Sequence, residues 1–142
     1  FCMRCFLVAL VLGCMILCSG TSGLCDSLRD AASSADSAYS SSSRAAEARD
    51  AADGRSRSRE AMSASQDARN AALDARAYDA AGYSDAAYGY SRKAASAKTD
   101  QDSRFYTKQA EKAAAEADAS INYDLEKKRK AAKDKANGGS RF

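Results

Sequence analysis

Four of the chain's seven tyrosines, Tyr78, Tyr83, Tyr88 and Tyr90, fall in the short segment Tyr78-Asp-Ala-Ala-Gly-Tyr83-Ser-Asp-Ala-Ala-Tyr88-Gly-Tyr90. Clustered phenols on a glycine-spaced segment suit oxidative cross-linking or adhesion. They serve equally as the large residues of an otherwise alanine interface, and that structural role is preferred. A second group is cationic: Lys127, Lys128, Arg129 and Lys130, followed by Lys133 and Lys135. Such a run suits contact with an anionic polysaccharide, a mineral, a membrane surface or nucleic acid. It also offers a dibasic processing site, and at a helix C-terminus it simply complements the helix dipole, the reading with the fewest assumptions. The alternation Arg55-Ser56-Arg57-Ser58-Arg59 is too short for an Arg-Ser tract and reads as a solvated linker.

Histidine is absent, which removes the usual general base and the commonest metal ligand. The 19 carboxylates stand singly among basic neighbours, so a dense cation site is not expected. No phosphate loop or nucleophile elbow occurs, and Asn70, Asn122 and Asn137 all lack the hydroxyl residue of a glycosylation acceptor. No catalytic, cofactor-binding or metal-ligating residue is assigned, and no enzymatic activity is expected.

The compartment is set by the N-terminal segment. Met3, Arg4 and Cys5 precede the apolar run Phe6 to Leu17, and small polar residues follow it from Cys18 to Gly23. This order reads as a secretory signal peptide over 1–23, with cleavage after Gly20 or Gly23. Phe1 and Cys2 then read as residues translated ahead of the initiator. The run falls short of the ~20 apolar residues of a membrane-spanning helix, and no span is expected in the mature chain. Cys2, Cys5, Cys14 and Cys18 leave with the leader, so Cys25 remains unpaired in an oxidising compartment. It is a candidate for an interchain disulfide, a reactive thiol or a free thiol near a frayed terminus.

The elements that must carry these residues are helices. The chain holds 33 alanines and 20 serines, and it has no proline to break a helix. Alanine and its Arg, Lys, Glu and Gln neighbours have high helix propensity. Opposite charges recur at helical spacing in Asp53 and Arg57, Asp100 and Arg104, Lys112 and Glu116, Asp124 and Lys128, and Glu126 and Lys130. Four helical stretches are expected, over about 24–53, 60–81, 82–98 and 104–136, with breaks near Gly54, Gly82 and Thr99 and a flexible tail over 137–142.

Small residues recur at alternating spacings of four and three. The seam runs through Leu24, Leu28, Ala31, Ala35, Ala38, Ser42 and Ala45, then Ala61, Ala64, Ala68, Ala71, Ala75 and Tyr78. It continues through Ala80, Tyr83, Ala87, Tyr90, Ala94 and Ala97, and last through Ala110, Ala114, Ala117, Ile121 and Leu125. A loose heptad seam of this kind predicts an all-α chain of extended, coiled-coil-like helices without a globular core. Most large aliphatic residues lie before residue 25, and each alanine methyl buries little area.

Residues 26–126 carry 14 basic and 18 acidic side chains, whereas 127–142 carry seven basic against Asp134. The molecule is a mildly acidic body with a basic end. Arginine supplies every basic group from Arg29 to Arg92, and all nine lysines lie from Lys93 onward.

In its leader, its alanine content and this seam, the stretch 24–136 resembles secreted alanine-rich structural proteins, such as the coiled-coil silks of insects and alanine-rich proteins of molluscan shell and other matrices. The resemblance is compositional and implies self-association into a fibre or matrix, with other matrix components, polyanions or mineral surfaces as further partners and no specific nucleic acid. Alanine-rich antifreeze proteins are similar but present regularly spaced threonines, where only Thr99 and Thr107 occur in this body. Desiccation-protective proteins are similar in hydrophilicity but carry an eleven-residue repeat not found here. The expected function is therefore a secreted structural or matrix component. The alternatives are a soluble stress-protective or ice-active helix, and a peptide precursor cleaved at Lys127 to Lys130.

Overall fold

The computed structural model describes residues 26–138. Among the described residues four helices follow one another: α1 over 26–46, α2 (Ala51–Asp74), α3 (Tyr78–Ala95) and α4 (Asp100–Gly138). The linking turns, 47–50, 75–77 and 96–99, are only three or four residues long, so each helix returns along its predecessor. Leu28 near the start of α1 shares a buried cluster with Ala72 and Ala75 at the end of α2, Ala77, Ala80 and Ala81 at the start of α3, and Ile121 of α4. At the opposite end, Ala45 and Ala48 line one crevice with Asp50, Gly54, Ser103 and Thr107. The helices therefore alternate in direction and pack side by side.

The buried positions keep a strict alternation of three and four in every helix. In α1 they are Leu28, Ala31, Ala35, Ala38, Ser42 and Ala45. In α2 they are Gly54, Ser58, Ala61, Ser65, Ala68 and Ala72, and in α3 Ala80, Ser84, Ala87, Ser91 and Ala94, with Ala81 beside them. In α4 they are Ser103, Thr107, Ala110, Ala114, Ala117 and Ile121, with Ala113 beside them. Only Leu28 and Ile121 are large, and both lie in the cluster near the α2–α3 turn, with Leu125 against it. Elsewhere the interior is methyl groups and hydroxyls. A Cβ on Gly54 would lie 3.5 Å from the Ala48 Cβ, in ordinary contact.

The hydroxyls divide into two kinds. Ser58 Oγ donates to the Gly54 carbonyl at 2.7 Å, and Ser103 Oγ donates to the Ala94 carbonyl at 3.3 Å. The buried Oγ atoms of Ser42, Ser65, Ser84 and Ser91 have no hydrogen-bond partner among the described residues. A buried hydroxyl left this way costs about 1–3 kcal/mol.

Each helix end has a local cause. Asp50 caps α2, its carboxylate accepting from the Asp53 amide at 2.8 Å. Thr99 and Asp102 form a reciprocal cap on α4: the Asp102 amide donates to Thr99 Oγ1 at 3.1 Å, and that hydroxyl donates to the Asp102 carboxylate at 2.7 Å. Helix α2 ends on Arg76, whose φ of 58° is left-handed, with the Arg76 amide bonded to the Leu73 carbonyl and the Ala77 amide to the Ala72 carbonyl. This is the usual left-handed helix terminator, with arginine where glycine is normally found.

Several sequence expectations change. The chain is all-helical as expected, but where extended helices without a core were expected, the helices fold back, bury their seams against one another and enclose a small cluster around Leu28 and Ile121. Gly54 and Gly82 lie inside α2 and α3 and break nothing. Gly54 is buried beside Ala48, Gly82 stands in open space, and a helical glycine costs only about 1 kcal/mol. The break near Thr99 holds. The Arg55–Arg59 alternation is not a linker but part of α2, with Ser58 in the interior. In α2 and α3 the seam passes through Ser65, Ala72, Ser84 and Ser91, leaving Ala64, Ala71 and Tyr90 half-buried and Tyr83 exposed. The expected signal peptide and Leu24 lie outside the described residues.

Candidate functional site

Two surfaces collect the residues capable of chemistry, and arginines organise one end of the bundle. At the end holding the α1–α2 and α3–α4 turns, carbonyls left open by the helix termini are capped by guanidinium groups. Arg55 donates to the Ala97 carbonyl at 2.9 Å and lies 4.0 Å from Asp100. Arg57 pairs with Asp53 at 2.8 Å and reaches the Arg44 carbonyl at 3.4 Å, while Arg104 reaches the Arg49 carbonyl at 3.4 Å. The hydrogen bond that Arg57 donates to the Asp53 carboxylate, then that carboxylate's charge, raises the Arg57 pKa above its ordinary value. A planar fork with several donors can hold a carbonyl and a carboxylate together, which a lysine ammonium does less well. That geometry gives a structural reason for part of the arginine usage in α2. Of the five expected helical ion pairs, Asp53–Arg57 closes within 4 Å among the described residues.

The first surface is aromatic and lies on α3 and α4. Tyr78 is 69% exposed and Tyr83 40%, while Tyr88 and Tyr90 are half-buried, so the four tyrosines are not the large residues of the seam. Tyr90 packs against the buried Ala87–Ala113–Ala114 cluster. Lys93 links two of the helices' rings, its Nζ standing 5.6 Å from the centroid of Tyr90 and 5.7 Å from that of Tyr106. Phe105 meets Tyr106 edge to face at 5.3 Å. Cation–π contacts of this sort contribute about 0.5–1 kcal/mol when exposed. The role of Lys93 and Tyr106 was not legible in the sequence, because they lie on different helices.

The second surface is the cationic end of α4. This helix has 39 residues against 18 in α3, about 58 Å against about 27 Å. Residues 129–137 are exposed throughout, and Lys127, Lys128, Arg129 and Lys130 all lie on α4, with Lys128 half-buried. Cys25 lies outside the described residues.

One carboxylate pair spans α1 and α4. The Asp118 carboxyl is pushed up from its ordinary value, first by burial and next by the charge of Asp36, while the Asn122 amide, donating to it at 3.1 Å, pulls the other way. Among the described residues no cluster of three or more His, Cys, Asp or Glu side chains could hold a metal ion, and no helix is long and apolar enough to cross a membrane. No protein-family model, curated protein or solved structure matches this chain.

Proposed function

We propose that this chain is a secreted, non-enzymatic structural component of an extracellular matrix, working through association of its helices both within one chain and between chains. The observation that carries this reading is the sameness of the four seams. Apart from Leu28, Gly54, Thr107 and Ile121, each presents alanine or serine at alternating steps of three and four, so side-chain shape does little to distinguish a helix of one chain from the same helix of another. Specificity requires a difference in affinity, and small residues supply little of it. Opening a turn lets a helical hairpin exchange between copies, and successive exchanges generate the extended, coiled-coil-like arrangement expected for a fibre or matrix. In that setting Cys25 is the interchain disulfide, the exposed tyrosines are available for cross-linking, and the basic end of α4 meets polyanionic matrix polymers or mineral.

Sedimentation of the mature chain over a range of concentrations up to millimolar tests this. Oligomers that grow with concentration, together with rising helicity and weaker assembly in Cys25→Ser, are expected. A chain that stays monomeric across the whole range, oxidised or reduced, defeats the proposal.

A further inference from the structure

The outward side of α4 carries a pattern of its own. Turned away from the buried Ala114, Ala117 and Ile121, a stripe of exposed residues follows the helix from Lys112 to Asp134 at steps of three and four. Tyr123 stands at its centre and is 67% exposed, which leaves most of a large ring in solvent. Counting outward from Tyr123 by four, seven and eleven positions meets Ala119 and Lys127, then Glu116 and Lys130, then Lys112 and Asp134. All of these are exposed. The stripe is therefore symmetric in position about Tyr123 and opposite in charge at its two outer steps.

Those charges are left without partners in their own chain. Among the described residues Lys112, Glu116, Lys130 and Asp134 make no ion pair within 4 Å. Lys112 precedes Glu116 by four positions and Lys130 precedes Asp134 by four, the weaker of the two orientations for a pair along one helix. Turned end for end against a copy of itself, the stripe brings each of these charges to its opposite.

We propose that this stripe is a docking surface for a second copy of the chain, with α4 lying antiparallel to α4 about a two-fold axis at Tyr123. The two Tyr123 rings then meet on the axis. Glu116 of each chain meets Lys130 of the other, Lys112 meets Asp134, and the aliphatic stem of Lys127 lies over Ala119. A parallel alignment in register sets like charges against each other instead, so the charges select the antiparallel one. Because the stripe faces away from the buried side of α4, the two bundles lie on opposite sides of the helix pair. The contact is much smaller than the roughly 20–30 residues a side of a standard interface, so the pairing is weak, needs high protein concentration and falls with salt. It joins chains already folded and does not require the exchange of helices proposed above.

A charge swap read by sedimentation equilibrium tests the contact, using the mature chain with Cys25→Ser at low salt and up to millimolar concentration. Glu116→Lys and Lys130→Glu are each expected to weaken dimerisation roughly tenfold or more, since each turns two attractions into repulsions. Glu116→Lys/Lys130→Glu together are expected to recover the parent's affinity to within about threefold. Both positions are exposed, and unchanged circular dichroism at 222 nm shows that the fold is kept. In the same background Tyr123→Cys is expected to form a disulfide dimer roughly tenfold faster than Tyr78→Cys, although the two parent rings are 67% and 69% exposed. The proposal is overturned if the chain stays monomeric, if the double variant pairs no better than the single ones, or if the two cysteine variants oxidise alike. Oligomers indifferent to the swap overturn it and leave helix exchange as their source, whereas dimers that obey the swap and grow no further support it without supporting a matrix. Loss of heparin binding in Lys130→Glu with pairing unchanged overturns it too, since the surface then reads a polyanion.

Discussion

The four unpartnered serines make a sharp test of how this interior is held together. Ser42, Ser65, Ser84 and Ser91 are each buried to within about 1% of complete, with the hydroxyl bonded to no atom of the described residues. Replacing one by alanine removes a penalty of about 1–3 kcal/mol for an unsatisfied buried polar atom. It adds up to about 0.5 kcal/mol in helix propensity. Against this stands the void left by one oxygen, roughly 10–15 Å³, which at about 24 cal/mol per Å³ costs some 0.3 kcal/mol. Each of Ser65→Ala and Ser84→Ala is therefore expected to stabilise the fold by about 1–3 kcal/mol, a substantial share of the 5–15 kcal/mol typical of a whole domain. Ser58→Ala is the internal control, because its hydroxyl already bonds to Gly54 at 2.7 Å. It is expected to be neutral or to destabilise by up to about 1 kcal/mol. Urea unfolding followed by circular dichroism at 222 nm reads all three, with unchanged m-values needed for the comparison. If Ser65→Ala and Ser84→Ala both destabilise, by as much as Ser58→Ala or more, the hydroxyls contribute to the fold and the reasoning fails.

Three further outcomes follow from the packing and charge. Ala87 is fully buried in a cluster with Ala113 and Ala114, so Ala87→Leu is expected to cost about 1–3 kcal/mol by overpacking, whereas Tyr78→Ala at the surface is expected to change urea stability by less than about 0.5 kcal/mol. Arg55→Ala removes the cap on the Ala97 carbonyl and is expected to cost about 1 kcal/mol, with Arg55→Lys recovering little; amide hydrogen exchange in the 96–99 turn localises the effect. The raised carboxyl of Asp118 gives a pH signature. Protonation relieves its burial and its repulsion from Asp36, so this contribution to stability is complete below the ordinary value of 3.8 and is lost as pH rises through the elevated folded-state value. Urea midpoints measured across that window are expected to fall with pH in the parent, and to fall less in Asp118→Asn; identical slopes refute the assignment.

The helical class was legible from alanine content alone, and the α1 seam was legible residue by residue because its large or small apolar positions coincide with the buried ones. In α2 and α3 the pattern misleads. Ala64 looks like a better seam residue than Ser65, and Tyr83 and Tyr90 better than Ser84 and Ser91, if burial is judged by hydrophobicity; Ala71 and Ala72 cannot be told apart that way. Close helix approach instead selects for small volume, and serine satisfies that as well as alanine does. Turn positions were harder still. Thr99 announced itself through its capping neighbours, but nothing in Ala75-Arg76-Ala77 signals a reversal, since a left-handed arginine lacks the glycine that usually marks one. The contacts of Arg55, Arg104 and Lys93 join distant parts of the chain and become visible only once the helices are folded back.

The three short turns also govern how quickly the fold is made and lost. Each helix packs first on the one that precedes it, so a large share of the native contacts joins residues close in sequence, and domains of this topology reach their fold in microseconds to milliseconds. Among the described residues Leu28 and Ile121 are the only large buried side chains, so little bulk has to be extracted to reverse the process. Fast folding and a light interior together place the permanence of any assembled state on covalent bonds rather than on the bundle itself.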